Sequence, residues 1–372
     1  MTTPRAAGQD DSRTPRYRDQ VRNDTTAASS SSVVDGASVV VTGGAGFIGS
    51  HLVDTLLRNR RPHKVTVLDD LENGTTANLA HWTDDDRFEL VVGDVCDRAE
   101  VDRVVAGADT VFHLACLGVR HSLHAPMRNH QVNAEGSLVV GLAARDAGVS
   151  RYVHVSSSEA FGTAQYVPMD ERHPTWPETV YGAGKLAGEA YARAMFRTDG
   201  MATVVARPFN TYGPRSHFEG DSGEVIPRTI VRMLNGQRPV VYGDGSQTRD
   251  FMHVSDTATA LLALAECEDA IGETVNIGTG VEISMLELCR VIAEIIGRPE
   301  LTPRLLDPRP GDVLRLCVDN TRMRQLTGVE PTVPFRDGIA DLIAWFRRAD
   351  ASPDAMLAQV ADTNWNRTGV SA

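Results

Sequence analysis

The sequence predicts an α/β fold built on a doubly wound parallel sheet, and three observations predict it. A strand, a glycine turn and a helix start follow one another at Ser38–Val53, SVVVTGGAGFIGSHLV. Short β-branched runs then alternate with helical stretches, as parallel βαβ units require. Finally, a strand ending in three serines is followed downstream by Tyr181-Gly-Ala-Gly-Lys185.

The bulk composition agrees. At 372 residues, with 42% apolar and 23% charged side chains, the chain can bury one large core or two smaller ones. Its net charge of −12 argues against nucleic acid as a partner. No apolar run approaches the ~20 residues of a membrane span. Five widely spaced cysteines, never C-x-x-C, read as reduced thiols in a cytoplasmic protein. Residues 1–36 are Ser-, Thr-, Arg- and Asp-rich and read as a disordered tail without a secretory signal.

Taken in order, the opening strand runs into Thr42, and glycines fall at Gly43, Gly44, Gly46 and Gly49. Such a turn lets the backbone approach a dinucleotide pyrophosphate, and the helix N-terminus offers N–H donors. A helix is expected from about Ile48 to Asn59. Lys64–Leu68 is the second strand, ending at Asp69 and Asp70. Asp69 lies twenty residues past Gly49, where a carboxylate can hold both adenosine ribose hydroxyls and repel a 2′-phosphate, favouring NAD over NADP. Phe88–Val92 is the third strand. Asp94, just past it, reads as an acceptor for the adenine amino group or as a turn aspartate. Asp109–Ala115 is the fourth strand, Pro126–Gly148 a long helix and Arg151–Ser156 the fifth strand. His121, His124 and His130 have no acid or cysteine partner at ligand spacing, so no metal site is expected.

The chemistry concentrates in the fifth strand end and the helix after it. Tyr181 and Lys185, at i, i+4, share a helix face. A nearby ammonium stabilises phenolate, so Tyr181 is expected to act as a base nearer neutrality than a free phenol. Ser157 would bond the same substrate hydroxyl. Together they suit removal of a proton from an alcohol whose hydride leaves for nicotinamide.

With these motifs in hand, the sequence resembles the extended short-chain dehydrogenase/reductase family, in particular its nucleotide-sugar epimerases, dehydratases and decarboxylases. The matching segments are TGGAGFIGS (42–50), HLAC (113–116), SSSEAFG (156–162), YGAGK (181–185), RPFNTYGPR (207–215), RDFMHVSD (249–256), NIGTG (276–280) and RPGD (309–312). They span roughly Ser38 to Arg348 in the family's order. The resemblance implies a Rossmann-like NAD domain at 37–206 to which 249–277 returns. It also implies a smaller, interleaved α/β substrate domain at 207–248 and 278–350, and a tail at 351–372. Cofactor contacts are expected at Gly43, Gly46, Phe47, Ile48, Gly49, Asp69, Asp70, Asp94, Val95, Leu114, Ala115, Tyr181 and Lys185. Substrate contacts are expected at Asn133, Ser157, Asn210, Val225, Arg249, Arg309 and Asp312, the two arginines clamping a diphosphate. A homodimer through a four-helix bundle is implied as well.

Within the family, Glu159 is informative. Dehydratases and decarboxylases usually carry Glu there, whereas epimerases often have a small neutral residue. Ser158 stands where thymidine-diphosphoglucose dehydratases carry an aspartic acid, and the decarboxylases' arginine-bearing insert before the catalytic tyrosine is absent. A UDP-hexose 4-epimerase is therefore the first expectation, with 4,6-elimination and decarboxylation as alternatives. A silent NAD-binding regulator would be expected to have lost Tyr181 or Lys185, and both are present.

Overall fold

The computed structural model describes residues 33–308 and 314–360. Most of the expected N-terminal tail, the end of the C-terminal one, and both Arg309 and Asp312 lie outside the described residues. Packing begins before residue 37, because Val34 is fully buried and the Gly36 N–H donates to the Arg61 carbonyl.

Strands β1 (Ser38–Thr42), β2 (Lys64–Asp69), β3 (Phe88–Val92), β4 (Thr110–His113), β5 (Arg151–Val155), β6 (Thr203–Pro208) and β10 (Thr274–Ile277) form one sheet. Its order is β10-β6-β5-β4-β1-β2-β3 and every pairing is parallel. The order reverses between β1 and β4, so a crevice opens beyond their C-terminal ends, as it does in doubly wound folds generally.

Side-chain alternation divides the strands between two cores. Val39 and Val41, Val153 and Val155, and Val204 and Ala206 face one core, which is covered by α1 (Phe47–Asn59) and α6 (Val254–Glu266). Val40, Tyr152 and Val205 face the other, covered by α2 (Arg98–Val105), α3 (Ser137–Asp146) and α4 (Val180–Asp199). The helical stretch expected at Pro126–Gly148 runs from Pro126 to Asp146, with a π-helical stretch at Gln131–Gly136.

After β6 the chain leaves this sheet. β7 (Asn210–Tyr212), β9 (Thr248–His253) and β11 (Glu282–Ser284) form a three-stranded sheet, and β8 (Val240–Tyr242) pairs with β12 (Arg304–Leu306). Helices α5 (Val225–Leu234), α7 (Met285–Ile296) and α8 (Phe335–Arg347) bury their apolar stripes together around Ile230, Leu288, Ile292, Leu342 and Phe346. The return to the large sheet starts at Val254 rather than Arg249, because Thr248–His253 belong to the three-stranded sheet.

Candidate active site

A cavity of about 890 Å³ runs from the glycine turn, past the ends of β4 and β5, to α5 and β8. Gly43, Gly46, Phe47, Ile48, Gly49, Asp69, Asp70, Val95, Leu114, Ala115, Ser157, Glu159, Tyr181, Lys185, Asn210, Val225 and Arg249 all line it. Residues far apart in the chain therefore share one cleft.

At the turn, Gly43 has φ +71° and a Cβ there would sit 2.6 Å from the Ala115 nitrogen. A Cβ on Gly49 would lie 2.1 Å from the Gly43 carbonyl oxygen. Only glycine lets the two loops of the crevice touch while the backbone stays open to a ligand. No side chain caps the N-terminus of α1 at Gly46, so the first-turn N–H groups remain for an anion. This cradle fits a dinucleotide pyrophosphate. Asp69 closes it: its Oδ2 accepts from the Ala45 N–H at 2.9 Å and its Oδ1 from the Leu71 N–H at 2.9 Å. Burial pushes the Asp69 carboxyl upward, against those backbone bonds. Its carboxylate thus braces the turn as well as facing the cavity.

Two expected contacts are placed differently. Asn133 is fully buried and does not line the cavity. Its Oδ1 accepts from the Leu117 N–H, and its Nδ2 donates to the Leu117 carbonyl and to Asn129 Oδ1, each at 2.9 Å. The amide is used up in holding the loop after β4, so Asn133 braces a wall of the cleft from behind. Asp94 lies between the lining residues Gly93 and Val95, and its carboxylate accepts from the Cys96 N–H at 2.8 Å and from Arg128 at 3.0 Å.

The serine strand end and α4 meet as expected. Thr179 caps α4, its Oγ1 accepting from the Gly182 N–H at 3.0 Å, which sets Tyr181 in the first turn. Lys185 is buried, and its Nζ donates to the Val155 carbonyl at 2.8 Å. Behind it, Glu189 forms a buried fork with Arg207 (2.6 and 2.5 Å) and accepts from Ser156 Oγ at 2.6 Å. That fork ties α4 to β6 and to the serine strand end.

The electrostatics of Tyr181 differ from expectation. Burial pushes its phenol well above the ordinary value; Cys116, Glu159 and Glu224 push the same way, and a hydrogen bond with Ser157 opposes them. The Lys185 ammonium is turned to the Val155 carbonyl. In the protein chain alone the upward push favours the neutral hydroxyl form of Tyr181. Burial likewise raises the Glu159 carboxyl, while the charges of Arg249 and Arg120 restrain it.

On the far wall, Asn210 has a buried Nδ2 without a hydrogen-bond partner among the described residues, as a ligand contact would. Arg249 donates to the Thr248 carbonyl at 2.9 Å. Three further lining arginines, Arg120, Arg228 and Arg232, escaped the sequence reading. Arg228 and Arg232 sit at i, i+4 on the amphipathic α5, a spacing that could have revealed them. Among the described residues no group of metal-ligating side chains converges, and no helix is long and apolar enough to cross a membrane.

Fold and site define a dinucleotide-binding α/β enzyme whose cleft brings Ser157, Tyr181 and Lys185 together. A family model described as GDP-mannose 4,6 dehydratase matches residues 40–342. The chain is 38% identical over 312 residues to a UDP-glucose 4-epimerase of Mycolicibacterium smegmatis, covering 83% of this chain and 98% of that one. It is 37% identical over 315 residues to a dTDP-glucose 4,6-dehydratase of Streptomyces niveus, covering 83% and 92%. Its fold is similar to that of the dTDP-glucose 4,6-dehydratase of Streptomyces venezuelae solved with NAD bound (TM-score 0.78, 33% identity, covering 83% and 97%). The chain belongs to the NAD-dependent nucleotide-sugar epimerase/dehydratase family.

Proposed function

We propose that this enzyme is a 4-epimerase of a UDP-linked hexose, using NAD in the cradle of the glycine turn. The observation that carries the reading is the composition of the wall facing Tyr181. At the strand end it offers the hydroxyls of Ser157 and Ser158 and a single carboxyl, Glu159. Epimerization needs only a group that takes and returns the proton of the 4-hydroxyl, and Ser157 and Tyr181 supply it. NAD, when bound, takes up and returns the hydride of that carbon. Ser157 orients the sugar oxygen, Tyr181 exchanges its proton, and Lys185 with the Glu189–Arg207 fork keeps α4 in register with β5. Asn210, Val225 and Arg249, together with Arg309 and Asp312, would hold the nucleoside diphosphate.

A second reading, 4,6-elimination, is favoured by one feature: burial raises Glu159, which suits proton transfer at a neighbouring carbon. Incubation with UDP-glucose, dTDP-glucose and UDP-glucuronate, followed by NMR of the products, tests both. An inverted hexose supports the proposal, whereas a 4-keto-6-deoxy sugar or a pentose overturns it. Glu159→Gln sharpens the test, since elimination should vanish while epimerization falls by less than about tenfold. We also propose a homodimer. Leu138, Val139, Leu142 and Tyr191 on α3 and α4 are only partly buried, as a helix-pair interface requires; sedimentation velocity checks it.

A further inference from the structure

One half-buried carboxyl in the cleft has no part in the mechanism above. Glu224 is the residue preceding the first turn of α5, and its backbone N–H donates to the His217 carbonyl at 2.8 Å. An acidic side chain at a helix start is ordinarily explained by the N–H groups it caps. Here the side chain makes no capping bond. It lines the cavity instead, and no hydrogen bond joins it to another described side chain.

Its surroundings come from four separate elements. Tyr181 on α4 is near enough to feel the Glu224 charge. Arg120, on the loop after β4, is near enough to stabilise the ionised forms of both Glu224 and Glu159. His217 and Arg249 line the same end. Along α5 the lining side chains Glu224, Arg228 and Arg232 fall at i, i+4, i+8, which puts them on one stripe. That stripe begins at Glu224, whose charge reaches Tyr181. The helix therefore carries an acid at the reacting end and cations toward the other.

Resting on the nucleotide-sugar reading of the cleft, we propose that Glu224, assisted by Arg120, reads the hydroxyls of the sugar ring. Burial lifts the Glu224 carboxyl to about 8, with only Arg120 opposing it. Near neutral pH it can thus both donate to and accept from sugar hydroxyls. A carboxyl in the protonated form does this without placing a bare charge in an enclosed space. The requirement is strict in one respect: an empty cleft can hydrate the group, but a bound sugar displaces that water and must replace its bonds.

The test compares affinities of the full-length, NAD-loaded protein for UDP and UDP-glucose by calorimetry, with dTDP and dTDP-glucose in parallel. Glu224→Ala should weaken the nucleotide sugar by about tenfold while the sugar-free nucleoside diphosphate stays within about twofold. Arg120→Ala should shift the same difference in the same direction. Glu224→Gln, the isostere of the protonated acid, should recover the sugar's contribution to within about threefold of the unsubstituted protein. Equal weakening of both ligands, no change in either, or a loss of turnover with the sugar's contribution to affinity intact would overturn the proposal. Should the unsubstituted enzyme bind these nucleotide sugars and convert none of them, the epimerase reading fails, yet the affinity differences still decide the role of Glu224.

Discussion

Behind Lys185 the sheet floor encloses histidines, whereas the α5 wall of the same cleft carries a half-buried carboxyl. His113 and His154 stand on adjacent strands with ring centroids 5.5 Å apart, both fully enclosed. Burial, with the charge of Lys185, pushes His154 down to about 3 and His113 well below its ordinary value. Glu224 on the wall is pushed the other way, to about 8. The cause is the same in both places, because desolvation disfavours the charged form whatever its sign. The consequences for stability are opposite. Below the ordinary histidine range the unfolded chain binds protons that the floor refuses, so stability falls as pH drops from 6.5 toward 3. Between 4.5 and 8 the folded chain keeps a proton on Glu224 that the unfolded chain releases, so this group lowers stability as pH rises through that window.

The comparison can be broken at several points. If the chemistry belongs to the floor side, Tyr181→Phe should cut turnover by about 10²- to 10⁴-fold and leave the thermal midpoint intact; a midpoint that drops with activity would assign Tyr181 a structural role. The buried fork is the floor's strongest tie. Glu189→Ala strands the Arg207 guanidinium, which is 3% exposed, and should cost about 3–5 kcal/mol in urea unfolding. The opposite pH responses come next. His154→Leu should flatten the acid limb of stability between pH 6.5 and 3, and Glu224→Gln the limb between 4.5 and 8, each by on the order of 2 kcal/mol in denaturant midpoints followed across pH. If either variant kept its limb, or if the two substitutions removed slopes of the same sign, the contrast would be refuted. Smallest of all, Arg290→Ala on the exposed face of α7, where Arg290 pairs with Glu287 and Glu294, should leave the unfolding midpoint unchanged within measurement.

The large sheet was legible because its signals are local. Each strand reads as a short β-favouring run, and the glycine turn must be glycine whatever surrounds it. Tyr181 and Lys185 could be paired from spacing alone, because a helix repeats every few residues. Asn133 shows where such reading stops. Its place on the helix was visible, yet its amide is consumed by Leu117 and Asn129, and only the folding of the loop after β4 onto that helix reveals it. Arg120 was silent for a related reason: it lies far from α5 in the chain, its local context is unremarkable, and only folding brings it near Glu224.

Local pattern, in short-range terms, established the parallel sheet and the dinucleotide turn, and singled out the Ser157, Tyr181 and Lys185 that line the cleft. The direction in which each ionisable group is shifted was decided by tertiary packing. The expected lowering of the Tyr181 phenol rested on one neighbouring ammonium, but folding turned that ammonium to the Val155 carbonyl and surrounded the phenol with low-dielectric protein and two carboxyls. A charge's free energy depends on everything within several ångströms of it, and sequence spacing specifies only the neighbours on its own helix or strand.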